Sequence, residues 1–295
     1  MSSVLLSVLN TCSRDEFVGA LGNVFEYSPW IAEQAAIVKP FAGVQQLFDA
    51  MKAVVDQTTP ERRLALIRGH PDLANKTQRA AGLTAESSAE QTGAGLDRLS
   101  DAEFQAFEQV NSAYRAKFGF PYIVCARRHT RGSILRDFER RLPNDTAIEI
   151  RNSINEIYRI AALRVAELVV SDDRLAVYGR LSTHVLDTYS GRPAQGVAVE
   201  LVELSDLGAS RVVTRTITNA DGRTDPPLIY HRPVPIGCYE LTFCMGDYFA
   251  RRQVATSDPP FLDQIPLRFS ISDPESHLHV PLLVTPWSYT TYRGS

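Results

Sequence analysis

Leu181-Ser182-Thr183-His184-Val185-Leu186-Asp187 is where the chain changes its period. Upstream, apolar residues recur every three or four positions, as on one face of a helix. Downstream they alternate, as in strands, and turn residues crowd in between. The stretch reads as the first strand of a second domain. It also places His184 in a strand-like run beside a polar turn, which makes it a candidate wall of an active site.

Working back from it, residues 1 to about 170 read as all-α. Ser13-Arg14-Asp15-Glu16 and Ser100-Asp101-Ala102-Glu103 have capping-box form, and Thr59-Pro60 is an N-cap followed by proline at the first helical position. Trp30 to Val38 and Val44 to Val55 are further helical stretches, broken at Lys39-Pro40. Thr146-Ala147-Ile148-Glu149 opens the most periodic helix, whose buried stripe is Ile150, Ile154, Ile157, Ala161, Val165 and Leu168. Arg164 lies at the edge of that stripe, free to turn into a pocket or to snorkel outward. Residues 171–176 form a short polar linker.

Working forward, residues 177–295 read as an all-β sandwich or barrel. Val197, Val199 and Leu201 alternate with Ala198 and Glu200. Tyr239, Leu241, Phe243 and Met245 alternate with Glu240, Thr242 and Cys244. Asn219-Ala220-Asp221-Gly222 is a turn.

Composition bounds the rest. A chain of 295 residues is comfortable for two domains. With 44% hydrophobic and 22% charged residues it reads as globular, and a net charge of -3 gives no reason to expect nucleic acid or an anionic membrane as partner. No apolar run reaches the ~20 residues that span a bilayer. Four cysteines are too few for a disulfide framework, and Cys238 and Cys244 would lie about 20 Å apart in one strand. Reduced cysteines, with no secretory pattern at Met1-Ser2-Ser3-Val4 and no peroxisomal tripeptide at Ser295, make the cytoplasm the expected compartment.

Three features of the second domain could meet in a site: His184, Arg223 after the turn, and His277-Leu278-His279, whose two histidines share one strand face. Histidine can pass a proton to or from water, and arginine offers a fork of donors to a carbonyl or carboxylate. Taken singly, each could equally be a satisfied strand histidine or a solvated arginine. Three histidines could also ligate zinc, although the sequence supplies no evident carboxylate around them. In the first domain, His70 sits on a corner between Gly69 and Pro71, presented rather than buried, or else simply capping a helix. Ser87-Ser88-Ala89-Glu90-Gln91 begins a polar stretch that could be a solvated helix end. Phe118-Gly119-Phe120-Pro121-Tyr122-Ile123-Val124-Cys125-Ala126 reads as extended and buried, with backbone groups that need partners outside a helix.

From about Val177 the chain resembles the transthyretin-like family, in particular its 5-hydroxyisourate hydrolases. The matching motifs are Leu181 to Asp187, Thr218-Asn219-Ala220-Asp221-Gly222-Arg223, His279-Val280-Pro281-Leu282-Leu283 and Tyr292-Arg293-Gly294-Ser295. The terminal tetrapeptide separates the hydrolases from the thyroid-hormone carriers. The resemblance implies a β-sandwich with a short helix, a homotetramer with sites at a subunit interface, and no metal. It implies a catalytic set of His184, Arg223, His279 and Ser295, with His279 and His184 activating water and Arg223 and Tyr292 holding the substrate. His277 is left in a supporting part.

Residues 5 to 170 resemble the 2-oxo-4-hydroxy-4-carboxy-5-ureidoimidazoline (OHCU) decarboxylases, on the His70, Ser87 to Gln91 and Phe118 to Ala126 stretches in that order. That family is all-α, often dimeric and free of cofactor. The resemblance implies His70 as catalytic acid or base and Pro71, Ser87, Glu90, Gln91 and Arg164 at the substrate, with the backbone of Ile123, Val124, Cys125 and Ala126 lining the pocket. Hydrolysis of 5-hydroxyisourate gives OHCU, and decarboxylation of OHCU gives (S)-allantoin, so the expected function is two consecutive steps. The alternative is a single active domain, with the sandwich serving as a tetrameric scaffold or binding module.

Overall fold

A computed structural model describes residues 3–74, 85–93, 95–96, 99–205 and 210–294, without the side chains of 85, 86 and 93. The chain divides into two compact units, residues 1–127 with 134–177, and residues 128–133 with 178–295.

The first unit is helical. Both capping boxes form as read: Ser13 accepts from the Glu16 amide and Ser100 from the Glu103 amide, with each glutamate reaching back to the cap. Thr59 caps Pro60–Arg68, and Asp145, one residue before the expected start, caps the long helix Thr146–Leu168. That helix buries Ile154, Ile157, Ala161, Val165 and Leu168, and it buries Arg164 too. Asp173, in the expected linker, accepts from the amides of Val44 and Gln45 and so closes the start of the Val44–Asp56 helix. One departure from all-α is a parallel ladder of β1 (Val4–Leu5) with β2 (Val169–Val170). The β-branched pair Val169-Val170 leaves the helix already extended, since the Val169 backbone lies in the β region.

The second unit is a sandwich of two sheets. Its strands are β3 (Gly179–Asp187), β4 (Arg192–Pro193), β5 (Ala198–Glu203), β6 (Arg211–Ile217), β7 (Ile229–Arg232), β8 (Gly237–Cys244), β9 (Gln264–Ile271), β10 (His277–Val284) and β11 (Tyr289–Thr291). One sheet runs β11-β10-β3-β4 with β7 also on β3, and the other β6-β5-β8-β9. The short helix Met245–Arg251 follows β8. Leu181 and Val185 of β3 and Leu278, Val280, Leu282 and Val284 of β10 face Leu201, Leu241, Phe243 and Ile265 across the core. Each such side chain contributes about 1.5–3 kcal/mol on burial. Because side chains alternate, filling the core with these residues turns Ser182, His184, His277 and His279 to the outer face, and a one-residue slip would reverse both sets.

Candidate active sites

β3 and β10 are parallel neighbours, with Arg180 opposite His277, Ser182 opposite His279, and His184 opposite Pro281. This pairing brings together residues about a hundred positions apart. Arg223 arrives by a turn. The Asn219 side chain accepts from the amides of Asp221 and Arg223, both at 3.0 Å, and the Val185 amide donates to the Gly222 carbonyl at 2.8 Å. Gly222 has φ +71, and a Cβ there would lie 2.3 Å from the Val185 oxygen, so the turn tolerates only glycine at this point. His184 and Arg223 then form an isolated antiparallel bridge. The chain's end pairs with β10: His279 and Gly294 exchange backbone hydrogen bonds of 3.2 and 2.8 Å. The register that joins Leu282 to Thr291 and His279 to Gly294 puts Tyr292 across from Pro281, where it is 58% exposed. Ser295 lies outside the described residues.

The electrostatics favour neutral histidines. Burial first, then the Arg223 charge, holds both His184 and His279 below the ordinary histidine range. His184, His277 and Arg180 add to the effect on His279. Nε2 of His184 is buried with no hydrogen-bond partner among the described residues. A neutral imidazole with an unengaged nitrogen is suited to accept a proton from water. Other residues of the opening motif serve the fold. Thr183 donates to the Val280 carbonyl at 2.7 Å, and Asp187 accepts from Tyr189, Ser190 and Tyr248 to fix the next turn. Among the described residues no cluster of histidine, cysteine and carboxylate side chains is arranged to hold a metal ion.

The helical unit holds a pocket, partly open to solvent, lined by His70, Pro71, Ser87, Glu90, Gln91 and Arg164, and by Ile123, Val124, Cys125 and Ala126. His70 is not presented to solvent as its corner suggested. It is 7% exposed and faces the cavity instead. The corner is held from elsewhere, and this turns the ring inward. Arg115 Nε donates to Asp72 at 2.9 Å, Asn111 donates to the Leu73 carbonyl at 2.8 Å, and Gln91 accepts from the Ala74 amide at 3.1 Å. His70 Nδ1 lies 3.0 Å from the Leu66 carbonyl. A carbonyl can only accept, so Nδ1 carries the proton and Nε2 of the neutral ring keeps its lone pair. Burial lowers the His70 pKa and keeps the ring neutral.

Arg164 turns into the pocket rather than outward. Nε and Nη2 meet Glu90 at 2.8 and 3.0 Å, Nη1 meets Glu26 at 2.9 Å, and Nη2 also reaches Ser87 at 3.3 Å. With the Asn23 carbonyl at 3.2 Å, its donors are engaged by the protein. Its geometry is therefore that of an organiser for Glu90, whose oxygens retain lone pairs. Burial raises the Glu90 pKa, and Arg164 opposes that shift. Two backbone groups of the 123–126 segment also find protein partners: Cys125 N donates to Glu156 at 2.8 Å and the Ile123 carbonyl accepts from Arg141 at 2.8 Å. Sequence reading singled out neither Glu26 nor Glu156. Glu156 lies two positions after Ile154 of the long helix and carries no motif of its own. Glu26, in Val24-Phe25-Glu26-Tyr27, had only its charge in an apolar run as a signal.

A family model described as OHCU decarboxylase matches residues 10–166, just over half of the chain. The chain belongs to the OHCU decarboxylase family. A second model, the HIUase/Transthyretin family, matches residues 181–294. The 2-oxo-4-hydroxy-4-carboxy-5-ureidoimidazoline decarboxylase of Haloferax volcanii is 37% identical over 172 residues, 58% of this chain and 100% of that protein. The 5-hydroxyisourate hydrolase of Deinococcus radiodurans is 55% identical over 116 residues, 39% of this chain and 95% of that protein. The crystal structure of (S)-allantoin synthase is similar with a TM-score of 0.50 and 34% identity, covering 99% of this chain and 100% of that one. This member of the decarboxylase family thus carries a second family at its C-terminal end.

Proposed function

We propose that the chain converts 5-hydroxyisourate to (S)-allantoin, with hydrolysis in the sandwich unit and decarboxylation in the helical unit. The observation that carries the reading is the likeness to (S)-allantoin synthase over 99% of this chain. The neutral-histidine cluster and the His70 cavity supply chemistry that fits the two steps.

In the first step, His279 with His184 takes a proton from water as it attacks a ring carbonyl, and the same proton passes to the departing nitrogen. Arg223, with Tyr292, binds the substrate and stabilises the oxyanion. The new carboxyl group ionises to give OHCU. In the second step the OHCU carboxylate leaves as carbon dioxide, and its electron pair moves onto the adjacent ring imine, whose nitrogen takes up a proton. The substrate is its own electron sink, so the step asks for placement more than for a cofactor. His70 Nε2, which bears a lone pair, takes the proton of the 4-hydroxyl and returns it to the neighbouring ring carbon. Delivery from one side gives one enantiomer. Glu90, held by Arg164, and Gln91 orient the ureido and ring N–H groups.

We also propose assembly as a homotetramer through the sandwich, in line with the exposed Tyr230, Tyr289 and Tyr292 on strands and chain end of the site-bearing sheet. We place the reaction in the cytoplasm, with its cysteines reduced. The test is stopped-flow ultraviolet absorbance with freshly generated 5-hydroxyisourate. Two successive phases, both faster than in buffer, support the reading. Phases at the buffer rate contradict it.

A further inference from the structure

Ser182 joins two histidines. Its Oγ lies 2.9 Å from His277 Nε2 and 2.9 Å from His279 Nδ1. The parallel register of β3 and β10 produces this contact, because Ser182 stands opposite His279 while His277 and His279 share a face. The neighbouring hydroxyl behaves differently: Thr183 ties itself to a backbone carbonyl. Ser182 is 6% exposed, and its two ring contacts are of ordinary hydrogen-bond length. A hydroxyl has one proton to give. At most one of the two nitrogens accepts from Oγ, and at least one must donate to it.

We propose that Ser182 and His277 are positioning residues for the hydrolysis, holding His279 as the tautomer protonated at Nδ1 and sharing the charge it acquires. This rests on the hydrolase reading above. With His279 Nδ1–H donating to Oγ, and Oγ–H donating to His277 Nε2, Nε2 of His279 keeps the lone pair that a base needs. When that nitrogen takes a proton from water, the Nδ1 proton moves to Oγ as the Oγ proton moves to His277. The positive charge then resides on His277, which is exposed to solvent. The reverse shift restores the proton to His279 for the departing nitrogen. No proton is gained or lost along the chain, and no further reactant is needed.

The charged groups around the pair are Arg180 and Arg223, with His184 as the third imidazole. All of them disfavour an imidazolium at His279, whereas at His277 burial and Arg180 alone do so, and moving the charge outward takes it away from Arg223 and His184.

The experiment uses the full chain and four variants: Ser182→Ala, His277→Leu, His277→Gln and the double variant Ser182→Ala with His277→Leu. Glutamine can still accept from Oγ–H through its side-chain oxygen, and leucine cannot. Ser182→Ala and His277→Leu should each lower kcat for hydrolysis at least about tenfold with little change in KM, by loss of the correct tautomer. The double variant should be no worse than either single one, because one chain of bonds is being cut twice. His277→Gln should restore the His279 tautomer and only part of the rate, because an amide oxygen accepts the hydrogen bond and cannot take up the proton. Equal rates in wild type, Ser182→Ala and His277→Leu would overturn the proposal, as would a His277→Gln rate no better than His277→Leu. Nitrogen-15 spectra of labelled histidine provide a readout independent of activity. His279 should be protonated at Nδ1 in the wild type and mixed in Ser182→Ala. A wild type that shows this tautomer yet leaves 5-hydroxyisourate untouched would sink the hydrolase reading and leave the positioning geometry intact. An Nε2-protonated His279 would sink the proposal alone.

Discussion

Arg164 and Glu90 meet at two points, Nε to Oε1 at 2.8 Å and Nη2 to Oε2 at 3.0 Å, although 74 residues separate them in the chain. Glu26 completes the group at 2.9 Å. Both carboxylates and the guanidinium are largely withdrawn from water. The arrangement is therefore costly to break by halves, because the partner left behind is a buried, unpaired charge. It also fixes the Glu90 carboxylate at the cavity wall.

Arg164→Met should accordingly strand two buried carboxylates. We expect a loss of about 3–5 kcal/mol in the stability of the helical unit. Decarboxylation should fall by at least about 10²-fold. Urea denaturation and an OHCU decay assay measure the two effects. Unchanged stability would show that the pair is not held as described.

His70→Ala should stop the sequence at OHCU while 5-hydroxyisourate still disappears at the wild-type rate. The loss of the second phase should approach about 10²–10⁴-fold, the usual contribution of a positioned acid–base group. Stopped-flow absorbance separates the phases. Equal slowing of both would contradict the division of labour between the two units.

Hydrolysis should lose rate in acid and not near neutrality. Burial and Arg223 lower the pKa values of His184 and His279 beneath the ordinary 6.5. Their neutral, proton-accepting forms then persist at pH 7 and are lost only as the pH falls through the lowered values. The linkage has the same sign: between 6.5 and the lowered values the unfolded chain binds more protons at these residues, so their contribution favours unfolding increasingly as the pH falls from 6.5 toward those values and levels off below them. Arg223→Met removes a cationic neighbour and should shift the acid limb of kcat/KM upward. A limb that stays in place in that variant would show that Arg223 does not set these values.

Gly222→Ala should damage hydrolysis selectively. The added Cβ would lie 2.3 Å from the Val185 carbonyl oxygen, at a φ of +71 that alanine disfavours. Relief requires moving the turn that carries Arg223, at a cost of about 1–3 kcal/mol. Hydrolysis assays and thermal melting of the full chain measure this, with OHCU decarboxylation as the control. A fully active variant would mean the turn can relax without moving Arg223.

What the sequence made legible was local. The capping boxes at Ser13 and Ser100 form as read, and the change of period at Leu181 coincides with β3. Cys238 and Cys244 do stand at the two ends of β8. Arg164 was visible as an oddity on an apolar stripe, but its direction depends on Glu90 and Glu26, which come from other helices and loops. The inward turn of His70 was hidden for the same reason. Gly69 and Pro71 predict a corner, and only Arg115, Asn111 and Gln91 decide which way that corner faces. Ser182 lay inside the motif that opens the sandwich, yet its link to His277 and His279 exists only through the register of β3 on β10. Periodicity reports which face a residue takes; it does not report which strand lies beside it.

The central claim is that one chain carries both steps and delivers one enantiomer. Circular dichroism during turnover tests it most directly. The full-length protein, mixed with freshly generated 5-hydroxyisourate, should produce a rapidly rising and lasting signal of the handedness of (S)-allantoin. Rapid loss of 5-hydroxyisourate with an optically inactive product would contradict it.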